Sequence, residues 1–175
     1  MVIFLANLDF FENRFCPSSN IASADLASPL HLTLFDSLNE ASAGPEWVFE
    51  REELEALLEK GCLLELGPDE VLIKAGSVES DLYILMEGLL VAYPDGENAI
   101  PSNWIRPGEV LGEMAYVLGD SVRRATVKSA LPSKVLMVGR QTLQEWAEIS
   151  PALSAKFFHR IAKVLAKRLL ARQTF

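Results

Sequence analysis

The chain has 175 residues, half of them hydrophobic, with 24 acidic against 16 basic side chains and a net charge of −8. That length suits one domain plus an extension, and that apolar share excludes global disorder. The negative balance argues against nucleic acid as a general partner, because a phosphate backbone needs a basic face.

The charge is uneven. Residues 1–60 carry 11 acids and 3 bases, whereas residues 151–175 carry no acid and six bases: Lys156, Arg160, Lys163, Lys167, Arg168 and Arg172. The basic tail suits the negative end of a helix dipole, or an acidic partner, anionic lipid or bound nucleotide. Cys16 and Cys62 are too few for a disulfide framework and lack metal-ligand spacing, so they read as small core residues of a reducing compartment. The apolar start lacks a basic leader and a cleavage site, and no run is long enough to span a bilayer. The expectation is a soluble, cytoplasmic chain.

Residues 1–45 form an extension. Residues 8–15 predict a helix with an aromatic cluster of Phe10, Phe11 and Phe15, and residues 30–38 a second short helix. Ser- and Ala-rich linkers lie around them. The domain proper is set at 46–175. Residues 50–60 predict an amphipathic helix with Leu54, Leu57 and Leu58 on one face and Gly61 as its stop. From Cys62 the period shortens. Apolar runs at 64–66, 71–73, 82–86, 89–93, 126–129 and 135–138 are parted by turn signals such as Gly67-Pro-Asp69 and Lys74-Ala-Gly-Ser77. Glu87-Gly88 reads as the turn of a hairpin between 82–86 and 89–93. After Gly139 the helical period returns over 141–147. Ser150-Pro151 then opens a long helix with Leu153, Phe157, Phe158, Ile161, Val164, Leu165, Leu169 and Leu170. The fold class is α+β: an antiparallel β jelly roll of about eight strands, with an N-terminal helical segment, a short inserted helix and two C-terminal helices.

The stretch from Leu111 to Thr126 carries most of the chemistry. It contains Gly112, Glu113 and Ala115, then Arg123, Ala125 and Val127. This resembles the phosphate-binding cassette of cyclic-nucleotide-binding domains, in which Gly-Glu-x-Ala is followed by Arg-x-Ala-x-Val. Leu82-Tyr-Ile-Leu-x-Glu-Gly88 and Arg106-Pro-Gly108 ahead of Gly112-Glu113 resemble further family patterns. The resemblance runs from about Trp47 to Leu170, and it implies a sensor module for cyclic AMP or cyclic GMP, without a further cofactor.

The residue types suit that ligand. An arginine fork can meet a phosphodiester with two parallel hydrogen bonds and stays charged on desolvation. By the resemblance, Arg123 is the phosphate arginine. A short helical turn from Glu113 would point free N–H groups at the phosphate. Gly112 and Ala115 are small where the backbone must come close. Glu113 would accept from the ribose 2′-hydroxyl and pair with Arg123 when the site is empty. Gly112, Glu113, Met114, Ala115, Arg123, Arg124 and Ala125 form the ligand-binding set, although Met114, like Tyr116, reads more as a core residue than as a base contact. Two positions depart from the family. Val122 stands where proline is common, and Arg124 where Ala, Ser or Thr is usual. Arg124 either adds a second charge to the phosphate or faces solvent. The last helix offers Arg160, Lys163, Val164, Lys167 and Arg168 toward the base, with none assigned.

No Gly-x-Ser-x-Gly elbow or P-loop occurs, and His31 and His159 are too few for a multi-histidine metal site, so no enzyme is expected. Binding is expected to draw the last helix onto the pocket, and that helix could pair with its copy in a homodimer. The alternatives are a ligand-free domain of this fold in protein–protein contacts, or the regulatory tail of an anion transporter. The latter follows from Leu8-Asp-x-x-Glu-Asn-Arg-Phe15 and Pro151-x-Leu-x-x-x-Phe-Phe-His-Arg160, which resemble modules fused to SulP-type transporters.

Overall fold

The computed structural model describes residues 51–94, 100–101, 103–119 and 122–173. The extension at 1–45, with its two expected helices, lies outside the described residues. The first described element, α1 (Arg51–Lys60), has Glu52 and Glu53 in its first turn and Lys60 in its last, complementing the helix dipole. It buries Leu54, Leu57 and Leu58. Gly61 ends it, donating its N–H to the Leu57 carbonyl at 2.8 Å. A Cβ there would lie 2.8 Å from that carbonyl and 2.9 Å from the Met137 carbonyl, so the close approach needs glycine.

The strands follow as β1 (Cys62–Leu66), β2 (Val71–Ile73), β3 (Leu82–Tyr93), β4 (Asn103–Ile105), β5 (Val110–Leu111) and β6 (Thr126–Val138), with α2 (Glu113–Leu118) before β6. Helices α3 (Arg140–Ile149) and α4 (Pro151–Gln173) close the domain. All named pairings are antiparallel, in the order β1-β6-β3-β4, with β2 also on β6 and β5 on β3. This is the jelly-roll arrangement with flanking helices. Gly67-Pro-Asp69 does form a turn, with Asp69 at φ 63°, and Lys74 accepts from the Ser77 amide at 3.1 Å. Cys62 is half-buried at the head of β1, and Cys16 lies outside the described residues.

The strand count differs from the expected eight for a definite reason. Glu87-Gly88 is not a turn. Residues 82–93 run on as one bent strand, paired along its length with β6 from Leu82↔Val138 to Tyr93↔Thr126. The register shifts around Glu87 and Leu89, and Gly88 takes φ 96°, which a bulge with glycine accommodates. Ser133 completes the bulge, accepting from the Leu89 amide at 3.2 Å. The runs at 126–129 and 135–138 fuse in the same way into β6. One expected hairpin and two separately expected strands thus become a pair of long strands. Among the described residues there are six strands, with a single bridge between Val78 and Val122.

Strand alternation builds two cores. Leu82, Ile84 and Met86 face the helices, packing with Leu54, Leu57, Leu143, Trp146, Phe157 and Ile161. Tyr83, Leu85 and Leu90 face the other way, against Leu66, Leu72, Ile73, Ile105, Leu111, Val127 and Val135. Both faces of β3 are therefore covered, which is why its sequence reads as an almost unbroken apolar run.

Candidate ligand-binding site

The segment from β5 to β6 gathers the charged groups. Leu111 leaves β5, and Gly112 turns the chain at φ 80° to start α2. A Cβ on Gly112 would lie 2.7 Å from the Asp81 carbonyl and collide with the Arg123 guanidinium. Glycine is thus required both by conformation and by space. The first helical bond runs from the Tyr116 amide to the Gly112 carbonyl at 3.3 Å. A helix leaves its first amides without intrahelical acceptors, and Gly112 has no side chain to meet them. Gly119 ends α2 at φ 73°.

Arg123 is 3 % exposed. Its backbone is pinned to the preceding loop: its N–H donates to the Ser77 carbonyl at 2.9 Å, and its carbonyl accepts from the Gly76 amide at 2.8 Å. The guanidinium donates to the carbonyls of Asp81 (2.8 Å) and Gly112 (3.4 Å). It lies 3.6 Å from Glu79 Oε2 and 5.5 Å from the centre of the Tyr83 ring. Its Nε–H has no hydrogen-bond partner. A buried donor left so is costly unless something else meets it.

Glu113 is 2 % exposed. It does not pair with Arg123, as the sequence suggested. Its Oε1 accepts from Arg168 Nη1 of α4, while Arg168 Nη2 donates to the Val110 carbonyl at 2.9 Å. Arg123 finds its carboxylate in Glu79 instead. The reason is direction: Arg123 enters from the strand side toward Asp81 and Glu79, whereas Glu113, at the start of α2, meets the helix above. α4 is therefore fastened to the cassette through Arg168.

The other members of the expected set divide. Ala115 is buried, whereas Gly112, Met114 and Ala125 are half-buried and Arg124 is exposed. Tyr116 stacks on Phe158 at 5.7 Å, and Arg140 lies over the Tyr116 ring at 5.1 Å. Burial pushes the Tyr116 hydroxyl's pKa up, with Arg140 opposing. These contacts make Tyr116 a packing residue, as read from the sequence. Phe157 meets Trp146 edge-on in the helix-facing core. Glu109 lies near Arg168; burial raises its pKa above the ordinary carboxylate range, opposed by the charge of Arg168 and by Arg106. Lower on α4, Arg160 pairs with the buried Glu53 of α1 at 2.8 Å.

Sequence reasoning missed Glu79, Tyr83 and the main-chain carbonyl of Asp81 as neighbours of Arg123, and nothing local in the sequence marks them. Arg168 had a usable signal. Ile161, Val164 and Arg168 continue one face of α4 at helical spacing, so a cation stands where the buried stripe predicts an apolar residue. A separate cleft between α1 and α3, lined by Ala56, Trp146 and Ile149 among others, holds about 110 Å³. That is below the roughly 300–1,000 Å³ of small-molecule sites, and it lies away from the cassette.

The chain is similar to two curated proteins: the Pycsar effector protein BcPycTIR of Burkholderia cepacia, 34 % identical over 113 residues, and PaPycTIR of Pseudomonas aeruginosa, 31 % identical over 114. Each match covers 65 % of this chain but only 35 % and 34 % of the relative. The chain thus spans about a third of the length of these relatives. Its fold is similar to a cyclic nucleotide-binding domain from Methylobacillus flagellatus, at a TM-score of 0.66 and 20 % identity, over 81 % of this chain and 79 % of that one. Residues 63–150, just over half of the sequence, match the model of the cyclic nucleotide-binding domain, and the chain belongs to that family.

Proposed function

We propose that this chain is a regulatory sensor that binds a cyclic nucleotide, cyclic AMP or cyclic GMP, through the segment from Gly112 to Ala125. Arg123 takes the phosphate, Glu113 the ribose 2′-hydroxyl, and the first turn of α2 adds oriented amides. The observation that carries this reading is the state of Arg123. A guanidinium 3 % exposed is held mainly by neutral carbonyls, with its nearest carboxylate 3.6 Å away and its Nε–H unpartnered. Such a group is short of negative charge, and a phosphodiester would supply it. Because the chain spans about a third of its effector relatives, the sensor would control an activity carried elsewhere in a longer protein or in a partner. The satisfied pairing of Glu113 with Arg168 favours a second reading, a ligand-free domain used in protein contacts.

Calorimetric titration with cyclic AMP and cyclic GMP separates the two. The expected result is saturable binding by the wild type that falls about thirtyfold or more in Arg123→Ala, as for loss of one partner of a buried charged contact. Absence of heat at millimolar nucleotide would exclude the sensor reading, and unchanged binding by the variant would remove the role given to Arg123.

A further inference from the structure

The last helix reaches the cassette through Arg168. Two tips of its guanidinium are engaged, one on Glu113 Oε1 and one on the Val110 carbonyl. A planar fork held at both tips has a fixed orientation. Its side chain is 32 % exposed. Only one oxygen of Glu113 is used by this contact. Among the described residues, none donates to Oε2.

Resting on the reading of this site as a cyclic-nucleotide site, we propose that Arg168 is its ribose-positioning residue. It holds Glu113 so that Oε2 receives the ligand's 2′-hydroxyl, and so sets the preference for ribo- over 2′-deoxyribonucleotides. The hydroxyl joins the pair and does not displace it. Guanidinium and hydroxyl would both donate charge-assisted bonds to this carboxylate, but displacement would exchange an ion pair for a hydrogen bond from a neutral group and leave the Arg168 charge at the Val110 carbonyl without its carboxylate. Joining requires neither, because a carboxylate offers about four lone-pair positions. Occupancy then adds a donor beneath Arg168 and keeps α4 seated on the cassette, which turns a ribose contact into a restraint on the helix.

The test uses the chain as it stands, titrated with the 3′,5′-cyclic monophosphates of adenosine, guanosine, cytidine and uridine. Whichever binds is then compared with its 2′-deoxy form. The wild type is expected to prefer the ribo form about ten- to a hundredfold, the scale of a hydrogen bond to a charged group. Arg168→Gln should reduce that preference to about threefold or less, while binding of the deoxy form, which depends on Arg123, stays within about threefold of wild type. Arg168→Lys keeps a charge on Glu113 but loses the second tip, so its preference should fall between the two, and it carries the test if the glutamine variant does not fold. A preference unchanged by both variants, equal weakening of both ligand forms, or tighter ribo binding by Arg168→Gln would each overturn the assignment. Wild type that binds none of the four would overturn the nucleotide reading itself, and this inference with it.

Discussion

Arg123 and Arg168 approach the same short segment from opposite sides and meet opposite electrostatic conditions. Arg123 belongs to the sheet framework: its backbone is pinned by Ser77 and Gly76, and its guanidinium rests on carbonyls with Glu79 at 3.6 Å. Arg168 belongs to a helix and bonds its carboxylate directly. The first is a positive group held mainly by carbonyls, the second a neutralised contact near the end of a helix. The proposed ligand, with one anionic and one hydroxyl-bearing end, would match that asymmetry, with the anion at Arg123 and the hydroxyl at the Glu113–Arg168 pair.

The sharpest way to break the comparison is to remove each arginine system and measure stability without nucleotide. Arg123→Ala leaves the nearly buried Glu79 with only the Tyr83 hydroxyl at 3.5 Å and empties the space the guanidinium fills, so unfolding free energy should fall by about 3–5 kcal/mol, read from urea unfolding. A loss below about 1 kcal/mol would show that Arg123 is not integral to the framework. Glu113→Gln should cost less, about 1–3 kcal/mol, because Arg168 keeps the Val110 carbonyl and partial access to water. That loss should appear as faster amide exchange in the last turns of α4 and not in β3. Equal acceleration in both would mean that Arg168 is no more releasable than Arg123.

The smallest effect is a pH dependence at Glu109, beside Arg168. Burial raises its pKa, so the protonated form is the one the fold prefers. Its contribution to stability is then present below the ordinary carboxylate pKa and is lost as pH rises through the raised value. Glu109→Gln should therefore gain thermal stability relative to wild type between pH 4 and pH 7. A constant difference in melting temperature across that range would show that the neighbouring Arg168 and Arg106 charges offset the burial completely.

How much was legible follows from what each feature depends on. Helix α1, the turns at Asp69 and Gly76, and the start of α4 at Pro151 are local: apolar spacing, a proline at the first helical position and residues that tolerate positive φ. The Glu87-Gly88 bend is not local. Glycine serves a hairpin turn and a bulge equally well, and only the continuous pairing of β3 with β6 selects the bulge. The pairing of Glu113 was misread for the same reason. Residue type and spacing placed it near Arg123, but not the direction in which either side chain leaves the backbone.

The sequence by itself determined the helices, the approximate positions of most strands and the apolar faces, because periodicity and turn chemistry are properties of neighbouring residues. Tertiary structure alone decided which carboxylate meets which arginine. That choice depends on Asp81, 42 positions from Arg123, and on Arg168, 55 positions from Glu113. Contacts across such separations are fixed by how sheet and helix pack, and a charge takes the partner that burial brings within reach.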